Sequence, residues 1–333
     1  MVDNLEYIVE KSLAMDYIVL DLEWNQSCYG KQAEHPRMPF EIIEIGAVKV
    51  NSKHKIVDEF KALIKPKLYK KLHKQIKDML NYDEETLQKE GVPFVNACTD
   101  FLKWCGEDCA FCTWGPSDMF YLQENMDFYN MKKLDFPLKY YNIQQIYADK
   151  FDKEHSICRL EKAVEAFGIK EDEPFHSAVN DARYTAKIMC HKKFPEFKEK
   201  YSIDLYRHPK KKEEEINIFH DGYYEYISSE FSNKQTAMED KHVNSLICCK
   251  CGRKISKKIN WFQATQSTSL AAGKCFYHGL MLGKLRFKET KNSDDNVFVI
   301  KTIHKTDKKE IASVKERQEQ IREKRREKRH ESH

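Results

Sequence analysis

Five residues whose types and spacing could do chemistry stand in three short stretches. They are Asp21 and Glu23 in YIVLDLEWN, Asp118 in WGPSD, and His176 with Asp181 in HSAVNDA. Carboxylates gathered in one buried site repel one another unless cations neutralise them, so a cluster of four implies bound metal. Two Mg²⁺ or Mn²⁺ ions held that way clamp the attacking and leaving oxygens of a phosphoryl transfer. A histidine beside them is a base able to activate water near neutral pH. The chemistry indicated is that of a metal-dependent nuclease.

The elements that must position these groups can be read around them. Residues 17–23 read as a central strand, apolar up to Asp21. On a strand, residues two apart share a face, so Asp21 and Glu23 can serve one site while Leu22 faces the opposite core. Residues 41–50 (EIIEIGAVKV) and 56–64 read as two further strands of an antiparallel meander. The long loop from 24 to 40 borders the expected cleft. Helices are expected over 82–90 and 95–105, then a short strand over 110–114. Gly115-Pro116 turns the chain, and Ser117 is a candidate cap for a helix starting at Asp118, where the macrodipole favours a carboxylate. A helix over 159–167 ends at Gly168, and another starts after His176 with Ser177 as its candidate cap. In that last helix Ala178, Ala182, Thr185 and Met189 form the core stripe, and Asp181 lies about 60° from Ala178. His176 and Asp181, five residues apart, could not share a face within one continuous helix, so the histidine is expected to precede the helix on a loop at the cleft.

Each motif alone has an ordinary reading. DLE can simply end a strand at the surface, Asp118 can be a helix-end charge, and His176 a surface histidine. The combination, in this order from Asp21 to Asp181, is what changes the odds. Here the chain resembles the DEDDh 3′–5′ exonucleases, an RNase H-like superfamily. The phrases LDLEWN, EIIEIGAV and WGPSD look closest to the branch of the small-RNA and histone-mRNA exonucleases and the bacterial sporulation-inhibitor-like proteins. The resemblance spans residues 15–205. It implies that Asp21, Glu23, Asp118 and Asp181 hold two divalent ions while His176 deprotonates the attacking water, with release of nucleoside 5′-monophosphates from the 3′ end. The fold implied is α/β, an RNase H-like mixed sheet flanked by helices. Trp24, Phe40 and Trp114 lie near the motifs as candidates for stacking a terminal base, with core packing the commoner role for each.

The 333 residues suffice for more than one module. The net charge is +4, and residues 305–333 alone hold 11 Lys/Arg against 7 Asp/Glu, leaving 46 of each sign in the rest. A body so balanced is expected to bind nucleic acid through a local groove rather than an overall positive field. The N-terminus lacks the basic start and long apolar run of a signal peptide, no window approaches a membrane span, and a reducing cytoplasm is expected. Clustered cysteines then point to metal rather than disulfides. Cys248 with Cys251, and Cys275 with His278, are two pairs of x₂ spacing, set apart along the chain as in a structural Zn²⁺ site. Cys249 is an adjacent substitute.

The expected organisation is an N-terminal segment 1–14, an exonuclease domain 15–205, a linker 206–245, a small C-terminal zinc-binding module 246–304, and a charged tail 305–333, either solvated helix or disorder. The zinc module's aromatics, Trp261, Phe262, Phe276 and Tyr277, suit packing around the metal, a nucleic-acid face or a protein partner. The leading reading is an exonuclease on single-stranded RNA or 3′ overhangs. The alternatives are single-stranded DNA in repair, or a non-catalytic regulatory binding protein.

Overall fold

The computed structural model describes residues 15–80, 82–151, 158–290 and 293–331; the N-terminal segment 1–14 lies outside them. They form two compact units divided between Arg207 and His208.

Unit 1 is built on the strands β1 (Asp16–Asn25), β2 (Glu41–Val50), β3 (Ile56–Leu63), β4 (Cys109–Thr113), β5 (Lys139–Asn142) and β6 (Ser202–Ile203). They form one six-stranded sheet of order β3-β2-β1-β4-β5-β6. The first three make the expected antiparallel meander. β4 then pairs with β1, and β5 with β4, in parallel, and β6 closes the edge antiparallel to β5. Short helices α1 (Lys74–Met79) and α2 (Glu84–Glu90) precede α3 (Phe94–Cys105), and α4 (Ser117–Phe128) follows β4. After β5 come α5 (Ile143–Phe151), α6 (Leu160–Phe167) and α7 (Ala178–Met189). This is the mixed sheet flanked by helices on both faces that the resemblance implies.

Strand alternation decides what each face buries. Ile18, Leu20 and Leu22 join Ala97, Phe101, Met119 and Leu122 in one core, under α3 and α4. Tyr17 and Val19 face the other way and pack with Ala182, Ala186 and Met189 of α7. Asp21 and Glu23 continue that second face, so β1 aims both carboxylates toward the helix that carries Asp181. The stripe of α7 is buried as its period requires, with Ala178 and Ala182 at 0% exposure. One residue lets α7 lie this close. A Cβ on Gly46, the β2 residue opposite Asp21, would sit 2.0 Å from the backbone nitrogen of Val179.

Neither expected serine caps its helix with its side chain, and only Ser177 holds the N-cap position. Pro116 occupies the N-cap of α4, and Ser117 is its first helical residue. Ser177 does sit at the N-cap of α7, but its hydroxyl donates to Glu44 Oε1 at 3.2 Å instead of capping.

Unit 2 corrects the organisation expected from the sequence. The stretch 206–245, read as a linker, supplies β7 (Ile216–Phe219), β8 (Tyr223–Ile227), α8 (Lys234–Glu239) and α9 (Lys241–Asn244) to this fold. A small hairpin of β9 (Leu246–Ile247) and β10 (Lys254–Ile255) follows. Then come β11 (Lys257–Thr265), β12 (Thr268–Cys275), β13 (Gly279–Thr290) and β14 (Ser293–Lys305). The sheet is six-stranded and antiparallel throughout, of order β11-β12-β13-β14-β8-β7. β8 pairs with β14, and Tyr224 and Tyr226 are buried in the sheet. Strands as short as β7 and β8 offer too little alternation to be recognised. The tail is helical, α10 (Lys308–Glu331), and is not simply solvated. Its Ile311 and Val314 pack on Ile259, Ala272 and Leu282 of β11, β12 and β13.

Candidate active site and metal-ligand clusters

In unit 1 the structure brings Asp21, Glu23 and Asp181 together, with one carboxylate oxygen from each lying within 4.8 Å of the others. Asp118 lies outside that triangle, for a geometric reason. β4 pairs with β1 only as far as Thr113 opposite Leu20, and Gly115 then turns the chain away. The Leu22 N–H left over on that edge donates to Asp118 Oδ1 at 3.1 Å. Asp118 is thereby fixed beside the strand and still acts on both of its acids through space. A bulge in the β1–β2 ladder after Glu23 re-aims the end of the strand at this point.

The electrostatics are those of a site lacking counter-charge. Burial holds Asp21 well above the usual carboxylate range, and Asp118, Glu23, Asp181 and Glu44 push it further. Burial raises Glu23 to about 8, with Asp181, Glu44 and Asp118 adding to it. Asp118 and Asp181 are both lifted to about 7, chiefly by burial. Asp181 Oδ1 is buried with no hydrogen-bond partner. An orphaned acceptor among repelling acids is the donor set of a hard divalent cation, so these residues fit Mg²⁺ or Mn²⁺.

His176 sits on the approach to α7, half-buried, with φ of 65°. A non-glycine residue there is strained, and such strain concentrates at functional sites. Its backbone N–H donates to Asp181 Oδ2 at 3.3 Å, tying the loop to the cluster.

Sequence reasoning missed Glu44. It pairs with Glu23 across the β1–β2 ladder and is fully buried. Its oxygens accept from Tyr82 Oη at 3.0 Å and Ser177 Oγ at 3.2 Å, and Lys61 Nζ stands 3.7 Å away. The signal was available: one acid inside the apolar run EIIEIGAV is out of place unless it is partnered.

Of the aromatic candidates, Trp24 and Phe40 meet around a third ring, Tyr121, with centroids 4.8 and 4.9 Å from it. Trp114 does not join them. It packs on Tyr147, and its Nε1 donates to the Cys158 carbonyl. It follows the end of β4 and packs, partly buried, in the cluster of α5 and α6.

In unit 2, Cys248, Cys251, Cys275 and His278 converge, with donor atoms all within 4.8 Å of one another. Cys248 Sγ and Cys275 Sγ lie 3.5 and 3.6 Å from His278 Nδ1, and Cys251 Sγ lies 3.9 Å from Cys275 Sγ. Zn–S bonds of about 2.3 Å and Zn–N bonds of about 2.05 Å give tetrahedral edges of about 3.8 Å (S to S) and 3.6 Å (S to N). The three separations given above match those edges. Burial opposes ionisation of Cys275, yet the His278 N–H and ring and the Tyr277 N–H bring its thiol down to about 6. Each ligand pair is the tip of a tight hairpin closed by a glycine of positive φ, Gly252 (68°) and Gly279 (86°). The shared pattern C-x-x-[C/H]-G is a further signal for the site. Cys249 is not a ligand. It points into the core, 2% exposed, with Sγ toward the Gly222 carbonyl and Met281 Sδ.

Comparison with known proteins agrees with this geometry. The family RNase_T, described as Exonuclease, is matched over residues 18–189. The chain belongs to that exonuclease family. It is a hydrolytic nuclease, and the matched region lies within unit 1. The chain is 28% identical over 182 residues to the probable 3′-5′ exonuclease KapD of Bacillus subtilis, a match covering 51% of this chain and 81% of KapD. Among solved structures it is similar to the nuclease domain of 3′hExo, a DEDDh family member bound to rAMP (20% identity, TM-score 0.46, 53% of this chain and 90% of that one). It is likewise similar to a 3′-exonuclease recognising the histone mRNA stem-loop (20% identity, TM-score 0.46, 53% and 80%). Among the described residues no helix is long and apolar enough to cross a membrane.

Proposed function

We propose that unit 1 is a two-metal 3′–5′ exonuclease that shortens single-stranded RNA or 3′ overhangs to nucleoside 5′-monophosphates. The observation that carries this is the convergence of the Asp21, Glu23 and Asp181 oxygens within 4.8 Å, backed by Asp118 and Glu44, in a member of an exonuclease family. The direction agrees with the name given to KapD. RNA over DNA follows from the resemblance of LDLEWN, EIIEIGAV and WGPSD to the small-RNA and histone-mRNA branch.

Asp21, Glu23, Asp118 and Asp181 would hold the ions. Divalent cations, when bound, neutralise these acids and offset charge on the scissile phosphate. His176 takes the proton of the attacking water on an imidazole nitrogen, and the link from its N–H to Asp181 keeps that base in step with the ligand helix. Glu44 restrains the same loop through Ser177. The Trp24, Phe40 and Tyr121 rings supply a stacking surface for the terminal base. In unit 2, Cys248, Cys251, Cys275 and His278 hold one structural Zn²⁺.

The test is digestion of 5′-labelled RNA and DNA of matched sequence with Mg²⁺, Mn²⁺ or EDTA, alongside Asp21→Ala. A metal-dependent ladder shortening from the 3′ end and absent in the variant is expected, with RNA the faster substrate. No cleavage of either polymer with any metal would leave a binding protein instead. Metal analysis tests the zinc assignment. A purified chain without stoichiometric zinc, and a Cys248→Ser variant indistinguishable from it, would remove that ion.

A further inference from the structure

The basicity of this chain is not confined to its tail. Residues 241–288 hold ten Lys/Arg and no Asp or Glu, while the rest of residues 1–304 holds 36 Lys/Arg against 46 Asp/Glu. This segment carries both hairpins of the zinc-ligand cluster. Two of the ligand candidates, Cys248 and Cys275, lie in the core of unit 2. The hairpin tips face outward. Phe276 and Tyr277, the two residues between ligands Cys275 and His278, are 89% and 66% exposed. Their rings stand edge-on at 5.1 Å and 82°, leaving faces open to solvent. Arg253 of the other hairpin lies over the Tyr277 ring, 4.8 Å from its centroid. Lys250, Lys254 and Lys274 are exposed on the same two hairpins, and Phe219, 53% exposed, lies beside Gly252. Asp221 stands 3.3 Å from Lys250 Nζ, and the cations around it outnumber it.

We propose that the paired hairpin tips form a second nucleic-acid site, distinct from the cluster in unit 1, at which unpaired bases stack on Phe276 and Tyr277 while phosphates meet Lys250, Arg253, Lys254 and Lys274. Two exposed rings cost water contact unless something covers them, and the cation-rich surround selects a polyanion. A paired duplex hides its base faces, so rings of this kind select single strands. A tetrahedral Zn²⁺ with three thiolates carries one net negative charge, far less than the cations nearby. A bound metal would fix the two rings in place without neutralising the surface.

The experiment measures binding of a labelled twelve-nucleotide oligo(U) and of an RNA duplex by fluorescence anisotropy, using the full chain as Asp21→Ala so that neither is cleaved. Phe276→Ser with Tyr277→Ser is expected to weaken oligo(U) binding on the order of tenfold per ring and leave duplex binding unchanged. Phe276→Leu with Tyr277→Leu keeps apolar bulk without a π-face and should show the same loss at unchanged zinc content. Lys250→Gln with Lys254→Gln should lower the slope of log oligo(U) affinity against log salt by about 1.4. The site is disproved by wild-type oligo(U) affinity in both ring variants, by equal losses on single strand and duplex, or by an acidic peptide that competes as well as RNA. Cleavage of a tetranucleotide by the ring variants with Asp21 restored reads unit 1 separately, so failure of the exonuclease reading and failure of this one look different.

Discussion

Unit 1 gathers its oxygen ligands from opposite ends of its chain, Asp21 to Asp181, whereas unit 2 gathers its sulfurs and imidazole from two neighbouring hairpin tips. In unit 1 the strand and helices that carry the acids are each held by an apolar core of their own, on both faces of the sheet. The acids stand at the edge of those cores and weaken them, since burial holds all of them above the usual carboxylate range and repulsion adds to it at Asp21, Glu23 and Asp181. In unit 2 two of the ligands are themselves core residues, packed with Tyr224, Leu246 and Met281. On the proposed reading, an ion in unit 1 would be a reagent the fold can do without, and an ion in unit 2 would be a part of the fold.

The largest expected effect breaks unit 2. Structural zinc in small domains is worth on the order of 10 kcal/mol of folding free energy. Cys275→Ser should lose zinc and expose residues 208–333 to limited proteolysis, while tetranucleotide cleavage by unit 1 continues. Equal protease resistance with and without the ion would reduce the cluster to a decoration and erase the contrast. Next in size is His176→Ala, with loss of a general base expected to lower kcat about 10²- to 10⁴-fold at an unchanged Mg²⁺ midpoint. A drop of less than threefold would assign the water's proton elsewhere.

The pH dependence sharpens the same contrast. Acids raised by burial bind more protons folded than unfolded, from their ordinary range near pH 4 up to about 7 or 8. The stability they contribute to the metal-free protein is complete below about pH 4 and is lost as pH rises through 7 to 8. Divalent cations must then stabilise unit 1 more at pH 8 than at pH 5.5. The thermal midpoint should rise with Mg²⁺ by on the order of 5 °C more at the higher pH, and Glu23→Gln should shrink that difference. Equal Mg²⁺ shifts at both values would mean the acids are not acting as a repelling set.

The contrast also explains what could be read from sequence. Asp21, Glu23 and Asp181 were legible because strand period and helix period place them on facing surfaces, and the meander and α7 were legible for the same reason. Glu44 was not singled out because its partners, Tyr82 and Ser177, are distant in the chain and meet it only in the fold. Trp114 packs on Tyr147, the commoner of the two roles its sequence position left open, because nearness in sequence to the rest of WGPSD says nothing about the side on which a ring emerges. The convergence of Cys248, Cys251, Cys275 and His278 was readable from spacing alone, since each pair is one turn of chain. Strands β7 and β8 were lost because β14, the strand that β8 pairs with, lies far downstream, beyond both zinc-ligand hairpins. The two short segments carry no period of their own.

The smallest predicted effect bears on how unit 1 holds its acids in register. Gly46 pairs with Asp21 and abuts the first turn of α7, where a Cβ would fall 2.0 Å from Val179 N and 2.1 Å from the Ala178 carbonyl carbon. Backbone atoms cannot swing aside as a flexible side chain does, so Gly46→Ala must push the start of α7 outward. The same turn carries Asp181 and, through Ser177, the restraint on the His176 loop. Overpacking of this kind costs about 1–3 kcal/mol, which a fold held on both faces of its sheet should survive. Ligand geometry is less forgiving, because Asp181 would move away from Asp21 and Glu23 while they stay on the strand. The variant should remain folded by circular dichroism, require more Mg²⁺ for half-maximal cleavage, and keep the zinc content of unit 2. A Gly46→Ala protein with the wild-type Mg²⁺ midpoint would show that contact between β2 and α7 does not set the spacing of the cluster.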